Sequence, residues 1–463
     1  MDAWATATAI AAGRTSAVQT VTDALGRIEE RDGALNAFTV VVADSALAQA
    51  AEVDSGSRGG PLAGVPISVK DHVWVRGLPA TNGSRALADF VPDETCACVE
   101  RLINAGAIIV GKTNNPEFCY RGITDNDLYG LTRNPRRLDR TPGGSSGGAA
   151  ASVAAGMVPL AVGTDGGGSI RIPSAFCGTY GLKPTFGLVP KLPGFRGWPT
   201  LSVTGPIAGS VRDLALALSV MAGPSVHDRL SCPAPAADYL TGVSAPAGGS
   251  SGGWAGLRVA VSADLGFAEL DADVWASFGA AMDALSDAGA VLTEARPEPI
   301  DPCALWDSIA LPEGFASEEP LLNGERGNLV GKDAAAIIRA GARLSTADYL
   351  DAQHLREGYH TRWARFFTDF DVLLTPTMPV TAFEVGRLAP ATVHGAPVPE
   401  SFDAWCALAL PANLAGLPAV SIPIGPGNDG LPVGLQLMGP RWSEGTLLRA
   451  ATAADEACRS SRG

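Results

Sequence analysis

The chain contains 463 residues and carries a formal net charge of −14, from 34 Lys and Arg against 48 Asp and Glu. Proteins that bind nucleic acid neutralise phosphates with clustered basic residues, so this acidic chain is expected not to bind nucleic acid. A hydrophobic fraction of 46% with 18% charged residues excludes an intrinsically disordered chain.

Neither a secretory leader nor a membrane span is predicted. The chain starts with an acidic residue, Asp2, and the uncharged stretch 143–164 is mostly Gly, Ala and Ser, so a buried core helix is expected there. The eight cysteines are scattered without C-x-x-C pairs, which favours reduced thiols and no zinc site. We therefore expect a cytoplasmic protein without metal or membrane contact.

Lysine is rare among the basic residues. Only five of the 34 Lys and Arg are lysine, so each is a candidate for a position that arginine cannot fill. They are Lys70, Lys112, Lys183, Lys191 and Lys332.

The first predicted element is a helix that follows Ser16. Ser16 and Gln19 fit a capping box, and apolar residues recur at helical spacing from Val21 to Ile28. The helix is expected to end at the turn formed by residues 31–33.

From about residue 61 the pattern changes to short apolar runs between Gly and Pro, alternating with helical stretches. This alternation predicts an α/β fold around one mixed sheet. A segment rich in Gly, Ser and Ala at 245–255 predicts a loop between lobes. The predicted strands are 65–69, 107–110, 257–261, 290–293, 371–375, 419–424 and 433–438, with helices over 95–105 and 271–287.

Residues 106–113 match the phosphate-binding pattern G-x-x-x-x-G-K-[ST]. In a working phosphate loop the four variable residues form the turn around the phosphates. Here they are Ala-Ile-Ile-Val, which favour a buried strand, and the Asn-Asn-Pro-Glu that follows is a poor helix start. We therefore expect a strand and no bound nucleotide.

Residues 143–147 match G-x-S-x-G, the nucleophile elbow of α/β-hydrolases. That elbow needs a hydrophobic strand directly before it, whereas residues 132–142 are mostly polar and contain two prolines. The hexamer at 143–148 recurs letter for letter at 248–253, where small flanking residues predict a flexible connector. An elbow is expected at neither position.

Two glycine-serine clusters within residues 141–173 bracket a stretch of small residues, and Ser145 and Ser169 lie 24 positions apart. Glycine beside serine lets the backbone approach a substrate and point several N–H groups at one position, which stabilises an oxyanion without a metal. For either cluster alone, a glycine-rich turn beside a packed helix is the simpler interpretation.

Taken whole, this segment resembles the defining motif of the amidase signature family. The resemblance is strongest over 61–213, returns over 371–449 and is weak over 230–361, where substrate preference would be encoded. The stretch Val65–Asp71 is similar to the family's upstream lysine motif, and further similar stretches lie at 111–114, 132–135, 177–185, 371–376 and 430–436.

The resemblance implies one large α/β domain with a central mixed sheet surrounded by helices. Within it we expect an N-terminal helical segment (1–60), a catalytic core (61–213), a variable pocket region (230–370) and a C-terminal part of the same sheet (371–463).

The resemblance also implies the chemistry. Ser169 would be the nucleophile, Ser145 a bridging serine after a cis peptide bond from Gly144, and Lys70 the base. No metal and no cofactor are implied. The oxyanion would be bound by the backbone N–H groups of Gly166, Gly167, Gly168 and Ser169, and the substrate by Phe118, Tyr120 and Gly144.

These roles are physically coherent. Serine is a weak nucleophile until a base takes its proton, and lysine is a base only where burial depresses its pKa. Asp71 follows Lys70 directly, but neighbours on a strand face opposite sides, so its carboxylate is expected to point away. Lys112 and Lys183 lie in family-like stretches without a triad role and are expected to be structural.

The sequence therefore predicts an amidase that hydrolyses a carboxamide C–N bond through a serine acyl-enzyme. A carbamate, ester or nylon-oligomer hydrolase is an alternative with the same chemistry. The glycine at position 166 is a feature in which the chain resembles the nylon-oligomer cyclic dimer hydrolases. A glutaminase-type component of a tRNA-dependent amidotransferase is a second alternative, although no counterpart of its amino-acid-binding segment is found. An inactive scaffold with the same fold is a third.

The substrate itself does not follow from the sequence. Expected pocket walls are 118–131, 305–330 and 378–405, whose aromatic residues fit an apolar or aryl small molecule as well as they fit core packing. A homodimer is expected as the commonest oligomer. The aromatic residues concerned are Phe118, Tyr120, Trp306, Phe315, Phe402 and Trp405.

Overall fold

The computed structural model describes residues 2–233, 239–244 and 253–461. The predicted loop at 245–255 and the repeated hexamer at 248–253 therefore lie largely outside the described residues. The helices are α1 (Ala3–Ala11), α2 (Ala17–Leu35), α3 (Ala43–Asp54), α4 (Ala97–Asn104), α5 (Gly147–Ala154), α6 (Arg171–Cys177), α7 (Val211–Met221), α8 (Thr241–Ser244), α9 (Ala272–Asp287), α10 (Cys303–Leu322), α11 (Lys332–Gly341), α12 (Thr346–Asp369), α13 (Asp403–Cys406), α14 (Leu410–Leu414) and α15 (Glu444–Ser460).

The strands alternate with these helices along the chain. They are β1 (Phe38–Val41), β2 (Pro66–Lys70), β3 (Ile108–Thr113), β4 (Leu160–Asp165), β5 (Tyr180–Lys183), β6 (Val203–Ala208), β7 (Val259–Val261), β8 (Leu292–Glu294), β9 (Val372–Pro376), β10 (Thr392–Val393), β11 (Ala396–Pro397), β12 (Ala419–Pro426) and β13 (Pro432–Met438).

In the part of the chain that is described, one sheet of eleven strands runs in the order β1-β3-β2-β4-β6-β5-β12-β13-β9-β7-β8. Strands β2, β3 and β4 are parallel, as are β7, β8 and β9, whereas the central pairs from β4 to β9 are antiparallel. The sheet is therefore mixed, and helices surround it in a single large α/β domain, as the sequence predicts. The region 230–370 also contributes β7 and β8 to the sheet.

Strand β3 includes three of the four variable positions of the phosphate-binding pattern and is buried along its length, so the predicted strand is confirmed. No helix within the described ranges is long and apolar enough to span a membrane.

The first helical prediction is right at its start and wrong at its end. Ser16 caps α2 by accepting a hydrogen bond from the backbone N–H of Gln19 at 3.0 Å. The helix runs through the turn expected at 31–33 and ends at Asn36, which has a φ of 54°. Gly33 weakens a helix by only about 1 kcal/mol relative to alanine. The buried stripe that continues to Leu35 outweighs that cost.

The helix in the uncharged stretch 143–164 is shorter than predicted. It holds the eight-residue α5 and then turns into β4, whose six residues are all buried. Because β2 and β4 are parallel neighbours, their carboxyl ends meet at the same edge of the sheet. This edge brings Lys70, the last residue of β2, next to the glycine-rich segment that follows β4.

Candidate active site

Lys70 is completely buried at the end of β2 and is surrounded by three hydroxyl groups. Its Nζ donates to Ser145 Oγ at 2.7 Å, Thr164 Oγ1 at 2.9 Å and Ser146 Oγ at 3.0 Å. Three donors with three acceptors satisfy an ammonium group fully. A neutral amine, by contrast, has only two N–H donors and would have to accept a hydrogen bond from one of these hydroxyls.

The hydroxyl of Ser146 cannot easily donate that hydrogen bond. Ser146 Oγ donates to the carbonyl oxygen of Thr164 at 3.1 Å and accepts from the Thr164 N–H at 3.2 Å. Ser145 has no such backbone acceptor among the hydrogen bonds of the described residues, and it lies closest to the amine. Ser145 is therefore well placed to exchange a proton with Lys70.

Burial lowers the pKa of Lys70 from its ordinary value, because the charged ammonium loses its hydration inside the protein. The nearby Cys119, Asp165 and Asp71 oppose that effect. As predicted, the Asp71 carboxylate points away from Lys70: it accepts from Thr81 Oγ1 at 3.0 Å and from the Thr81 N–H at 3.2 Å.

The peptide bond between Gly144 and Ser145 is cis. A Cβ atom on Gly144 would lie 2.2 Å from the carbonyl oxygen of Ile123, so only glycine fits against this backbone. Gly144 does not line the pocket described below. The sequence places Gly144 among the substrate-contacting residues, whereas its observed close contact is with the backbone of Ile123.

Ser169 follows three glycines after β4 and lines the same pocket as Ser145, with 7% of its surface exposed. Its carbonyl oxygen accepts from the Ser146 N–H at 3.1 Å, which ties the two serine-containing segments together. The two serines that are far apart in sequence therefore meet at one pocket.

The four backbone N–H groups expected to face an oxyanion are not equivalent. The Gly168 N–H donates to Asp165 Oδ1 at 2.7 Å and is already committed. This corrects the sequence-based set of donors, which included Gly168. The N–H groups of Gly166, Gly167 and Ser169 remain as candidates.

Asp165 holds the loop formed by residues 166–170 through hydrogen bonds. Its carboxylate also accepts from the Ile170 N–H at 3.2 Å, and Arg171 donates Nε and Nη2 to it at 3.0 and 2.9 Å. Both side chains are fully buried. Asn413 donates to the same carboxylate at 2.9 Å. The ion pair thus fixes the turn on which Ser169 stands.

A steric constraint explains why the first of the three glycines, Gly166, has no side chain. A Cβ on Gly166 would lie 2.5 Å from Cε3 of Trp198, because the indole packs directly against this backbone. The Gly166 carbonyl oxygen accepts from Trp306 Nε1 at 2.9 Å. Gly166 therefore admits an aromatic wall beside the reacting group.

The pocket that contains Ser145 and Ser169 is small, about 30 Å³, and rich in aromatic residues. Phe118 and Tyr120 line it, as the sequence predicts. Sequence reasoning missed several other aromatic and polar residues of its wall, among them His72, Trp74, Lys191, Phe195, Arg196 and Trp198.

Cys119 lies in the predicted wall segment 118–131, but the sequence does not predict its chemical setting. Burial raises the pKa of its thiol, but the charges of Lys70 and His72 outweigh that effect and lower the pKa to about 7. Phe118 and Cys119 have φ values of 52° and 64°, a backbone conformation rare outside glycine. The chain is thereby turned so that both side chains reach the pocket.

A second cavity of about 360 Å³ adjoins this pocket and shares Tyr120 and Trp198 with it. All three predicted wall segments contribute to it, including Trp306, Phe315 and Phe402. Trp405 does not line either cavity; it is buried in the core, stacked on Phe176.

Two other lysines hold backbone rather than hydroxyl groups. Lys112 donates to the carbonyl oxygens of Asp71 and Pro79 at 3.0 Å, and Lys183 donates to that of Pro184 at 2.9 Å. Burial lowers the pKa of Lys112 to about 8 and that of Lys183 to about 7. Their contacts agree with the structural role predicted for them.

Comparison with known proteins identifies the family to which the chain belongs. The profile of the amidase family matches residues 19–448. The chain is 39% identical to an acylamidase of Rhodococcus erythropolis over 435 residues, which cover 92% of this chain and 88% of that protein. It is 36% identical over 475 residues to a glutamyl-tRNA(Gln) amidotransferase subunit of Chloroflexus aggregans, covering 96% and 94% of the two chains.

A solved structure shows the same fold. The structure of a bacterial aryl acylamidase of the amidase signature family has a TM-score of 0.89 and 30% sequence identity to this chain. The alignment covers 99% of this chain and 96% of the other. The fold, the profile match and the relatives agree: the chain belongs to the amidase signature family.

Proposed function

We propose that this protein is a stand-alone amidase that cleaves a carboxamide C–N bond to a carboxylate and an amine through an acyl-enzyme on Ser169. The proposal rests on one observation, the buried Lys70 amine hydrogen-bonded to Ser145 in the pocket that Ser169 lines. Lys70 acts as the base and Ser145 relays the proton.

The first half-reaction begins with Lys70 neutral. Ser145 gives its proton to Lys70 Nζ and takes the proton of Ser169, whose Oγ forms a bond to the carbonyl carbon. The tetrahedral oxyanion then collapses and the C–N bond breaks. The leaving nitrogen takes a proton from Ser145, which Lys70 replenishes, so the relay returns to its starting state.

The second half-reaction uses the same groups on water. Water loses a proton through Ser145 to Lys70, attacks the acyl carbon and releases the carboxylic acid from Ser169 Oγ, which regains its proton. The backbone N–H groups of Gly166, Gly167 and Ser169 are assigned to the oxyanion in both halves. Each such donor contributes about 10²–10³-fold to kcat in comparable sites.

The aromatic pocket supports an apolar or aryl amide as the substrate, in keeping with the acylamidase and aryl acylamidase among the relatives. Carbamates, esters and cyclic amide oligomers share the oxyanion and stay as alternatives. A panel of aryl amide, carbamate and ester substrates with one common aryl group, plus a cyclic amide dimer, separates them by kcat/KM.

A role within an amidotransferase is a second candidate because of the 36% identity over nearly the whole chain. In that role the protein would release ammonia from glutamine rather than cleave aryl amides. Ammonia release from glutamine that exceeds the hydrolysis of every aryl amide in the panel would favour the amidotransferase.

The test of the proposal compares Ser169→Ala and Lys70→Arg with the wild-type protein on the best amide of the panel. Both variants are expected to lose activity, the first because no acyl-enzyme forms, the second because a guanidinium is never neutral at working pH. Labelling of Ser169 by a fluorophosphonate tests the inactive-scaffold alternative. Wild-type turnover by Ser169→Ala would refute the assignment.

A further inference from the structure

The second cavity lies on the far side of an aromatic partition from the reacting groups. Tyr120 and Trp198 stack with ring centroids 5.5 Å apart and line both spaces. The catalytic pocket, at about 30 Å³, has room for little more than the reacting group, whereas the neighbouring cavity is about 360 Å³. The second cavity therefore offers room for the remote end of a substrate larger than a simple amide.

The walls of this cavity are mainly apolar, and its charged groups are four acidic residues and one arginine, Arg121. Asp333 and Glu400 are each paired with an arginine, Arg121 and Arg387 respectively. Asp307 and Asp403 differ: both line the cavity, and among the described residues neither forms an ion pair with a Lys, Arg or His.

Asp307 and Asp403 stand on helices that contact each other, because Cys303 Sγ of α10 donates to the carbonyl oxygen of Asp403 in α13 at 3.9 Å. Burial, together with the neighbouring Asp403, raises the pKa of Asp307 to about 7, because two carboxylates in a poorly hydrated place resist double ionisation. A cation placed between them would remove that repulsion. Within the described ranges, the pair is thus an acidic site without a protein counter-ion.

A second polar group in the same cavity also lacks a partner. Tyr120 is 9% exposed, and its hydroxyl oxygen has no hydrogen-bond partner in the described part of the chain. A Cβ on Gly314 would lie 2.7 Å from that oxygen, so the glycine leaves the hydroxyl its space. A buried tyrosine hydroxyl normally finds a partner, and this one lines the cavity where a ligand would supply it.

We propose that this cavity binds the remote end of an amide substrate that carries a cationic amine on an apolar or aryl framework. The apolar and aromatic walls take the framework, the Asp307–Asp403 pair takes the ammonium group, and Tyr120 offers its hydroxyl to a polar group along the way. This inference rests on the proposed amidase function and names the class of substrate.

The test uses substrate pairs that differ only in charge. Two series are made, with a para-substituted phenyl ring on the acyl side (3-phenylpropanamides) or on the amine side (acetanilides). The substituent is aminomethyl or its neutral isostere ethyl. At pH 8 the aminomethyl member of at least one series is expected to have a kcat/KM about tenfold or more above the ethyl member.

Variants locate the effect. Asp307→Asn and Asp403→Asn are each expected to lower kcat/KM for the aminomethyl substrate about tenfold more than for the ethyl substrate. Glu400→Gln removes an acidic residue of the same cavity that already has an arginine partner, and is expected to keep the ratio within about twofold of wild type. Thermal unfolding of each variant checks that it is folded.

The proposal is overturned if the ethyl member is as good as the aminomethyl member in both series, or if the preference survives both aspartate variants. Binding separates this outcome from a failure of the amidase function itself. In Ser169→Ala protein, calorimetric titration is expected to show tighter binding of the aminomethyl member than of the ethyl member in at least one of the two series. Equal or weaker binding of the aminomethyl member in both series also overturns the proposal.

Discussion

Replacing Arg171 by methionine is the perturbation whose consequences the structure defines most fully. Arg171 is completely buried and donates to Asp165, Asn413, Gln436 and the carbonyl oxygen of Ala409, at distances between 2.6 and 3.0 Å. Methionine keeps much of the apolar stem and removes the charge and all of these hydrogen bonds.

The magnitude follows from what is left behind. Asp165 would lose its counter-charge and two hydrogen bonds, keeping those from the N–H groups of Gly168 and Ile170 and from Asn413. Removing one partner of a buried ion pair typically costs about 3–5 kcal/mol, because the other charge stays buried without compensation. The retained hydrogen bonds place Arg171→Met at the lower end, about 3 kcal/mol.

A double variant identifies the cause. Asn at position 165 removes the stranded charge, so Arg171→Met with Asp165→Asn is expected to be about 1–3 kcal/mol more stable than Arg171→Met alone. Urea denaturation followed by tryptophan fluorescence measures both. A loss below about 1 kcal/mol in the single variant, or a double variant no more stable than the single one, would refute the reasoning.

The pH dependence gives an independent check with a definite sign. Burial favours the neutral form of Asp165, but the charge and hydrogen bonds of Arg171 outweigh it and hold the pKa well below its ordinary value. A depressed pKa contributes stability that is complete above the unfolded value of about 3.9 and is lost as the pH falls below it. The difference between wild type and Arg171→Met should therefore shrink as the pH falls from about 5 to 2.

The remaining predictions concern the reacting groups. Lys70→Arg should lower kcat about 10²–10⁴-fold at every pH from 6 to 10, measured by amide hydrolysis; near-normal turnover would mean that Lys70 is only structural. Cys119→Ala removes a group that raises the pKa of Lys70, so the acid limb of the pH profile of kcat/KM should move to lower pH; an unmoved limb contradicts this. Gly166→Ala forces a Cβ to within 2.5 Å of Trp198 and should lower kcat/KM at least tenfold (about 1.4 kcal/mol of barrier). Gly279→Ala, with open space around its Cβ, should not lower it.

The sequence predicts the fold because its signals are local and repeated. Short apolar runs bounded by Gly and Pro give the strands, and amphipathic stretches give α4 and α9 between them. The order of the strands in the sheet depends instead on contacts between distant segments, which leave no local pattern. The predicted end of α2 is also wrong because of contacts beyond the local sequence. Packing of Leu35 outweighs the turn tendency of residues 31–33.

The candidate site, too, has features that the sequence predicts and features that it does not. Lys70, Ser145 and Ser169 stand in motifs that resemble a family pattern, so the roles proposed for them follow from that resemblance. The commitment of the Gly168 N–H to Asp165 depends on a turn geometry that glycine repeats do not specify. Trp198 comes from a loop whose only signal is an aromatic residue between glycine and proline, and core packing explains such a residue equally well.

The central claim is a covalent acyl-enzyme on Ser169, and trapping that intermediate tests it most directly. An aryl carbamate transfers its carbamoyl group to a serine quickly, and water removes that group slowly. The carbamoyl-enzyme therefore survives quenching and can be digested and analysed by mass spectrometry. The account predicts one carbamoyl group per chain, on the peptide that contains Ser169, and none in Ser169→Ala. A carbamoyl group on another residue, or steady amide hydrolysis by Ser169→Ala, would contradict it.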